Sequence, residues 1–413
     1  MCGSYPLQQV VTGSARMSSE SFNERIRAAL ARLTLTHRRR VRRCVESIST
    51  TECLVDGHRC ISFATNDYLG LTRHPRVLAA FAQTAAVQAG AGASALIAGR
   101  SKQNAGLEKA LAEYEGTESA VLFPSGYAAN TGAITTLVGL NDAVFCDRDN
   151  HASLIDGCRN SAGKFFVYDR LDLERLSDSI AKRRKDFEHS FIVTDSVFSM
   201  DGTLAPLPQL CDIAESFDST VIVDEAHGTG VFGVQGRGVC ELQNVQHRIG
   251  VKIGTLSKAI GGLGGFVAGS EALCEWLWNN SRSQFFSTAL PPAVTAAATE
   301  SLRVISEESE RREKLAAAAV FARQTLQECG LTVLFDQTSP ESSPIIAVLI
   351  GDDDLAVRVS RRMLECGFFV PAVRPPTVAP GTARLRMSVC CDHTFEMIRG
   401  AAYQLRDVLR SER

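Results

Sequence analysis

The stretch Thr220-Val221-Ile222-Val223-Asp224-Glu225-Ala226-His227-Gly228 decides the fold. An unbroken apolar run of this length fits a strand covered on both faces, as in a parallel sheet, better than a half-solvated antiparallel one. A carboxylate at the end of such a strand is costly unless something pairs with it. Thirty-four residues beyond Asp224, a second apolar strand runs into Gly254-Thr255-Leu256-Ser257-Lys258-Ala259-Ile260-Gly261-Gly262 and sets Lys258 before a glycine cluster.

Outward from these two runs, strand-length and helix-length patterns alternate from about residue 75 to 300. Ala120–Phe123, Ala143–Cys146, Lys164–Tyr168, Phe191–Asp195, Thr220–Asp224 and Val251–Leu256 read as strands. Helices between them predict an α/β domain with a mostly parallel sheet, whose ligands bind at the carboxyl ends of the strands. After residue 300 a long charged helix, roughly 298–329, precedes strand, helix and strand patterns of a smaller α+β domain. The expected division is a leader and helical segment at 1–60, a large domain at 61–300 and a small one at 301–413. Near the N-terminus, Ser21 and Glu24 read as a capping box, followed by Phe22, Ile26, Ala29, Leu30 and Leu33 at helical spacing. The basic run Arg38-Arg39-Arg40-Val41-Arg42-Arg43 closes that helix, as a solvated face or as a contact for an anionic acyl donor.

Bulk properties exclude several classes. The 413 residues carry a net charge of −2, which gives no general pull toward nucleic acid or anionic membrane. No apolar stretch approaches the roughly 20 residues needed to span a bilayer. The thirteen cysteines are odd in number and form no Cys-x-x-Cys pair, which fits free thiols in a reducing cytoplasm. Met17 is a candidate start, with residues 1–16 as a leader.

The polar residues at the strand ends suggest one cofactor. Flanked by apolar and small residues, Lys258 would be partly desolvated, and a neutral amine there can form a Schiff base. Asp224 facing a pyridine nitrogen would keep it protonated, and His227 could bond a phenolic oxygen beside it. These are the parts that hold pyridoxal phosphate. A metal reading of the Asp224–His227 cluster lacks a second histidine at ligand spacing. Ser125-Gly126-Tyr127, between a strand and a helix, is a natural phosphate seat or simply a turn. His151 either stacks on the cofactor ring or caps a helix. Ser199 and Thr255 are hydroxyl donors at strand ends. Arg374, Arg384 and Arg386 lie beside rigid turns. Arg384 and Arg386 share one strand face, suited to a substrate carboxylate or to salt bridges on an edge strand.

Taken in order, Asn66-Asp67-Tyr68-Leu69-Gly70, Ser125-Gly126-Tyr127, Asn150-His151-Ala152-Ser153, Val197-Phe198-Ser199-Met200-Asp201-Gly202, Asp224 through Gly230, Thr255-x-x-Lys258 and Ser287-Thr288-x-x-Pro291-Pro292 resemble the α-oxoamine synthases. The resemblance runs from about residue 20 to the end. It implies the fold type I architecture of pyridoxal-phosphate enzymes and a reaction joining an acyl thioester to an amino acid with loss of CO2. Arg374-Pro375-Pro376-Thr377-Val378 and Gly381 through Arg386 resemble the members that serve biotin biosynthesis. That implies L-alanine and a pimeloyl thioester, on CoA or a carrier protein, as substrates, and 8-amino-7-oxononanoate as product.

By the same resemblance Lys258 carries the cofactor, Asp224 meets its ring nitrogen, His227 its phenolic oxygen, and His151 stacks on the ring. Ser199 and Thr255 bond the cofactor, while Gly126 and Tyr127 line the phosphate seat. Thr288 reaches that seat from the second copy of a homodimer. Arg386 takes the amino-acid carboxylate, and Arg38, Asn66, His151, Arg374 and Thr377 touch substrate. The sequence departs from the family at Pro380, at the alanines of Gly90–Ala95 and at Tyr127. Two other expectations stay open: a relative acylating glycine or serine, and a non-catalytic regulatory subunit of the same fold, against which Lys258 argues.

Overall fold

The computed structural model describes residues 19–36, 38–334 and 343–413; the candidate leader at 1–16 and Met17 lie outside them. The chain divides into two units, Met1–Arg43 and Cys44–Arg413.

In the first unit a helix spans Ser19–Leu35, with Glu20 in its first turn, where the helix dipole favours an acid. Ser21 therefore lies inside the helix rather than capping it. The basic run follows the helix instead of closing it: Arg38 and Arg39 donate their backbone N–H groups to Leu33 O, at 2.7 and 2.9 Å.

In the second unit, among the described residues, the central sheet has seven strands. They are β1 (Ser119–Phe123), β2 (Ala143–Asp147), β3 (Lys164–Tyr168), β4 (Ser190–Asp195), β5 (Thr220–Asp224), β6 (Val251–Thr255) and β7 (Gly265–Gly269). Their order across the sheet is β1-β7-β6-β5-β4-β2-β3. Neighbouring pairs from β6 to β3 are parallel, and β7 runs antiparallel to both β1 and β6. Each expected strand is present to within a residue or two. β7 was not anticipated. Leu256 N–H donates to Gly264 O, and Gly261 and Gly264 hold φ of 72° and 130°, so the glycine cluster folds the chain back beside β6.

Both faces of the sheet are covered. Val221 and Val223 of β5 enter one core cluster and Ile222 the other, all at most 1% exposed. Burial of each such side chain stabilises the fold by about 1.5–3 kcal/mol. The polar ends of β4, β5 and β6 therefore emerge together along one edge of the layer.

The helix expected at 298–329 is two helices, Pro292–Glu307 and Glu310–Glu328. Glu308 leaves helical geometry, and its carboxylate meets Arg311 Nε at 2.6 Å and His74 Nε2 at 3.2 Å. Beyond them Val333–Leu334, Ile345–Gly351, Ala383–Ser388 and Ala372–Val373 form an antiparallel sheet in that order. Val45–Ser47, Glu52–Val55, His58–Ser62 and Phe368–Phe369 form another small sheet. Backbone bonds from Ser388 N to Phe63 O and from Cys391 N to Tyr68 O, both 2.8 Å, bring the strand carrying Arg386 against the Asn66–Tyr68 segment.

Candidate active site

Asp224 ends β5 and is 4% exposed. Its Oδ1 accepts Ala226 N–H at 2.8 Å and its Oδ2 accepts Asn130 Nδ2 at 2.6 Å. Both donors are neutral, and among the described residues no cation pairs with it. A buried carboxylate left in that condition calls for a cationic partner.

Lys258 follows β6 and is half-buried. Burial pulls its amine down to about 8, against the opposing pull of Asp224 and Asp195, with Arg386 adding to the fall. The amine makes no hydrogen bond or salt bridge among the described residues. A lysine so placed has a far greater neutral fraction near physiological pH than an ordinary lysine, as a carbonyl-capturing amine needs.

His227 is buried, and its Nδ1 lies 2.8 Å from the hydroxyl of Tyr68. Burial, then the positive charges of Lys258 and Arg386, hold it well below the usual imidazole range, so it is neutral. Tyr68 is fully buried and pushed up to about 12 by burial, so it keeps its proton, which it donates to Asn66 Oδ1 at 3.2 Å.

Asn66 Oδ1 also accepts Arg386 Nη2 at 3.2 Å. Arg386 donates Nε to Ser199 O at 2.6 Å and Nη1 to Ser388 Oγ at 2.9 Å. Its guanidinium is 8% exposed and, among the described residues, has no carboxylate partner. Arg384, on the same face, turns to Thr382 and, at 3.5 Å, to Met200 O.

The phosphate-seat expectation has a geometric basis. Gly126 opens the helix Gly126–Leu137, and Ser125 caps it by accepting Ala128 N–H at 3.1 Å. The first N–H groups of such a helix lack intrahelical acceptors and favour an anion. A Cβ on Gly126 would meet Thr255 at 3.1 Å, and one on Gly265 would meet Ser125 O at 2.4 Å. The turn, the end of β6 and the start of β7 thus close on one another with room for backbone only. Thr255 Oγ1 bonds Gly264 O at 2.9 Å and Ser257 Oγ at 2.8 Å.

His151 caps the helix Ala152–Asn160 and faces the site as well: Asp224 and Lys258 both act on its charge. The two sequence readings of His151 are therefore compatible. Tyr127 lies in the first turn of the helix Gly126–Leu137, and its hydroxyl donates to Asp156 Oδ2. Thr288 is exposed and forms a bridge with Ser94, and no hydrogen bond of the site reaches it. Arg374 and Thr377 form a turn through Thr377 N–H to Arg374 O at 3.1 Å, and Arg38 belongs to the first unit.

Sequence reasoning missed Tyr68, Asn130, Ser153 and Asp195. Asp195 ends β4 as Asp224 ends β5, so the same signal marked it. The residues fit pyridoxal phosphate: an unpaired buried anion for the ring nitrogen, a neutral histidine beside it, a partly deprotonated lysine and a helix N-terminus for the phosphate. Among the described residues no group of three or more His, Cys, Asp or Glu could hold a metal ion. No helix there is long and apolar enough to cross a membrane.

A family model described as aminotransferase class I and II matches residues 58–405. The 8-amino-7-oxononanoate synthase of Cellvibrio japonicus is 41% identical over 390 residues, covering 94% of this chain and 95% of its own. Among solved structures, SPT with its PLP internal aldimine gives a TM-score of 0.89 at 31% identity, over 96% of this chain and 99% of that one. The 8-amino-7-oxononanoate synthase of Francisella tularensis gives 0.73 at 29% identity, over 86% of this chain and 98% of that one.

Proposed function

The chain belongs to the aminotransferase class I and II family, and we propose that it condenses L-alanine with a pimeloyl thioester, releasing CO2 and the free thiol and leaving 8-amino-7-oxononanoate for biotin biosynthesis. Its 41% identity to the Cellvibrio japonicus synthase over nearly the whole of both chains supports that branch above the serine-using one, at 31%. The observation that carries the reading is Arg386, a buried guanidinium without a carboxylate of its own, grouped with Lys258 and Asp224. A buried cation held on neutral acceptors is prepared for a substrate carboxylate.

Pyridoxal phosphate, when bound, supplies a cationic ring that takes up the electron pair left when a bond to the amino acid's α-carbon breaks. Asp224 holds that ring's positive charge in place. Gly126 and the start of its helix take the phosphate, with Thr255 and Ser199 beside the cofactor. Lys258, poised near 8, would hold the cofactor, and its free amine would take the α-proton and return one. Arg386 and Asn66 grip the carboxylate that is lost as CO2. His151, beside Asp224 and Lys258, would lie against the cofactor and meet the acyl carbonyl. Arg374 and Thr377 contact the acyl donor.

We read the enzyme as a cytoplasmic homodimer in which Thr288 of each copy serves the other's phosphate seat. The exposed side chain of Thr288, open to a second copy, supports this, as do the free thiols among the described residues. The test is to incubate the pyridoxal-phosphate-loaded protein with L-alanine and pimeloyl-CoA or a pimeloyl carrier protein, and to weigh the product. The expected mass is that of 8-amino-7-oxononanoate. Product only with serine or glycine, or none at all, overturns the assignment.

A further inference from the structure

We propose that Asn130 and Ser153 are positioning residues that hold His151 as its Nε2–H tautomer and tie that tautomer to Asp224. The inference rests on the reading of this site as the catalytic one. Asn130 is 2% exposed and Ser153 fully buried. Asn130 Nδ2 donates both of its protons, one to Asp224 Oδ2 at 2.6 Å and one to Ser153 Oγ at 2.8 Å. A carboxylate only accepts, so the amide must present its nitrogen here and cannot be flipped.

Ser153 Oγ, having accepted from Asn130, sends its own proton to His151 Nδ1, 2.7 Å away. A second donor confirms the direction. The backbone N–H of Ser153 also points at Nδ1, at 3.3 Å, and a backbone N–H can only donate. Nδ1 is therefore a lone pair, and the ring proton sits on Nε2. Asp195 Oδ2 fixes the main chain of the same residue by accepting His151 N–H at 2.6 Å. Around the ring, Asp224 and Asp156 favour its charged form and Lys258 opposes it, while burial, the largest effect, keeps it neutral.

The free edge of His151 consequently offers a hydrogen-bond donor and no lone pair. It can stabilise negative charge growing on a carbonyl oxygen, but it cannot remove a proton unless the Ser153–His151 bonds are broken.

The test is long-range nitrogen–proton NMR on the pyridoxal-phosphate-loaded protein carrying 15N-histidine, with His151→Gln identifying the resonance. At neutral pH one pyridine-type nitrogen (Nδ1) and one pyrrole-type nitrogen (Nε2) are expected. Ser153→Ala and Asn130→Ala should mix the tautomers, and Ser153→Thr should restore the single pattern. An Nδ1–H form or an imidazolium in the unaltered protein overturns the proposal, and this spectrum decides the matter even where a variant fails to fold. A Ser153→Ala spectrum identical to the unaltered one also overturns it. No amino acid or thioester is present, so the outcome is independent of the condensation assay.

Discussion

Asp195 and Asp224 stand opposite each other across the parallel strands β4 and β5, and both are buried. The two do not share their surroundings equally. Asp224 accepts two N–H donors, whereas Asp195 accepts one, from the backbone of His151. Burial, then the charge of Asp224, pushes Asp195 well above the usual carboxylate range, so Asp195 takes up a proton more readily than a free carboxyl group does.

Asp195, raised by burial, and Asp224, the acid proposed for the ring nitrogen, predict unequal responses to the same substitution. Asp195→Asn keeps a neutral acceptor for His151 N–H and should change cofactor affinity by less than about threefold, under 1 kcal/mol. Asp224→Asn removes the one charge meant for the ring nitrogen. Breaking a buried pair costs about 3–5 kcal/mol, on the order of 200- to 5000-fold in affinity. Equilibrium titration of cofactor-free protein with pyridoxal phosphate separates the two, and equal losses in both variants would refute the assignment of charge.

Arg386 predicts where substrate recognition fails first. Arg386→Lys keeps the charge but loses the planar fork and the bond to Asn66. The KM for the amino acid should rise by about 10-fold or more, and kcat/KM for Arg386→Ala should fall by roughly 30- to 5000-fold, the 2–5 kcal/mol of a buried charge-assisted contact. Cofactor absorbance should be unchanged in both. An unaltered KM would move the carboxylate site elsewhere, with Arg384 as the next arginine to test.

Much of this arrangement is legible in the sequence, for identifiable reasons. Asp224, His227 and Lys258 stand out because polar residues directly after continuous apolar strands need partners. The antiparallel direction of β7 does not stand out, because it depends on the φ of Gly264 and on a five-residue run bounded by glycines. The helix break at Glu308 carries no proline or glycine; besides its near neighbour Arg311 it meets His74, which only the tertiary structure brings there. Asn130 and Ser153 look like ordinary helix residues. Their role arises where the helices Gly126–Leu137 and Ala152–Asn160 pack together, which no local pattern announces.

The lowered basicity of Lys258 sets a pH dependence on loading. Burial favours the neutral amine, so the reactive fraction grows as pH rises through about 8 rather than through the ordinary lysine value. The rate at which cofactor-free protein captures pyridoxal phosphate should climb between pH 7 and about 9 and then level off. Stopped-flow absorbance follows it. A rate still climbing steeply above pH 10 would show an ordinary exposed lysine.

His393 gives a stability prediction remote from the chemistry. It is 4% exposed, stacks on Phe63, accepts Cys390 N–H at Nδ1 and donates Nε2–H to Ser62 O. Burial takes it down to about 4. Above the ordinary histidine value the ring is neutral folded or unfolded, and its contribution is fully present. As pH falls from about 6.5 toward 4, the unfolded chain takes up a proton that the folded one refuses, so stability is lost across that window. The loss attributable to His393 should reach roughly 3 kcal/mol at the acid end. His227, also held neutral by burial, adds a loss of the same sign. Urea unfolding at pH 7 and pH 5 should therefore show a smaller drop for His393→Gln than for the unaltered chain, without abolishing it. An identical drop in both would mean that His393 is protonated in the fold.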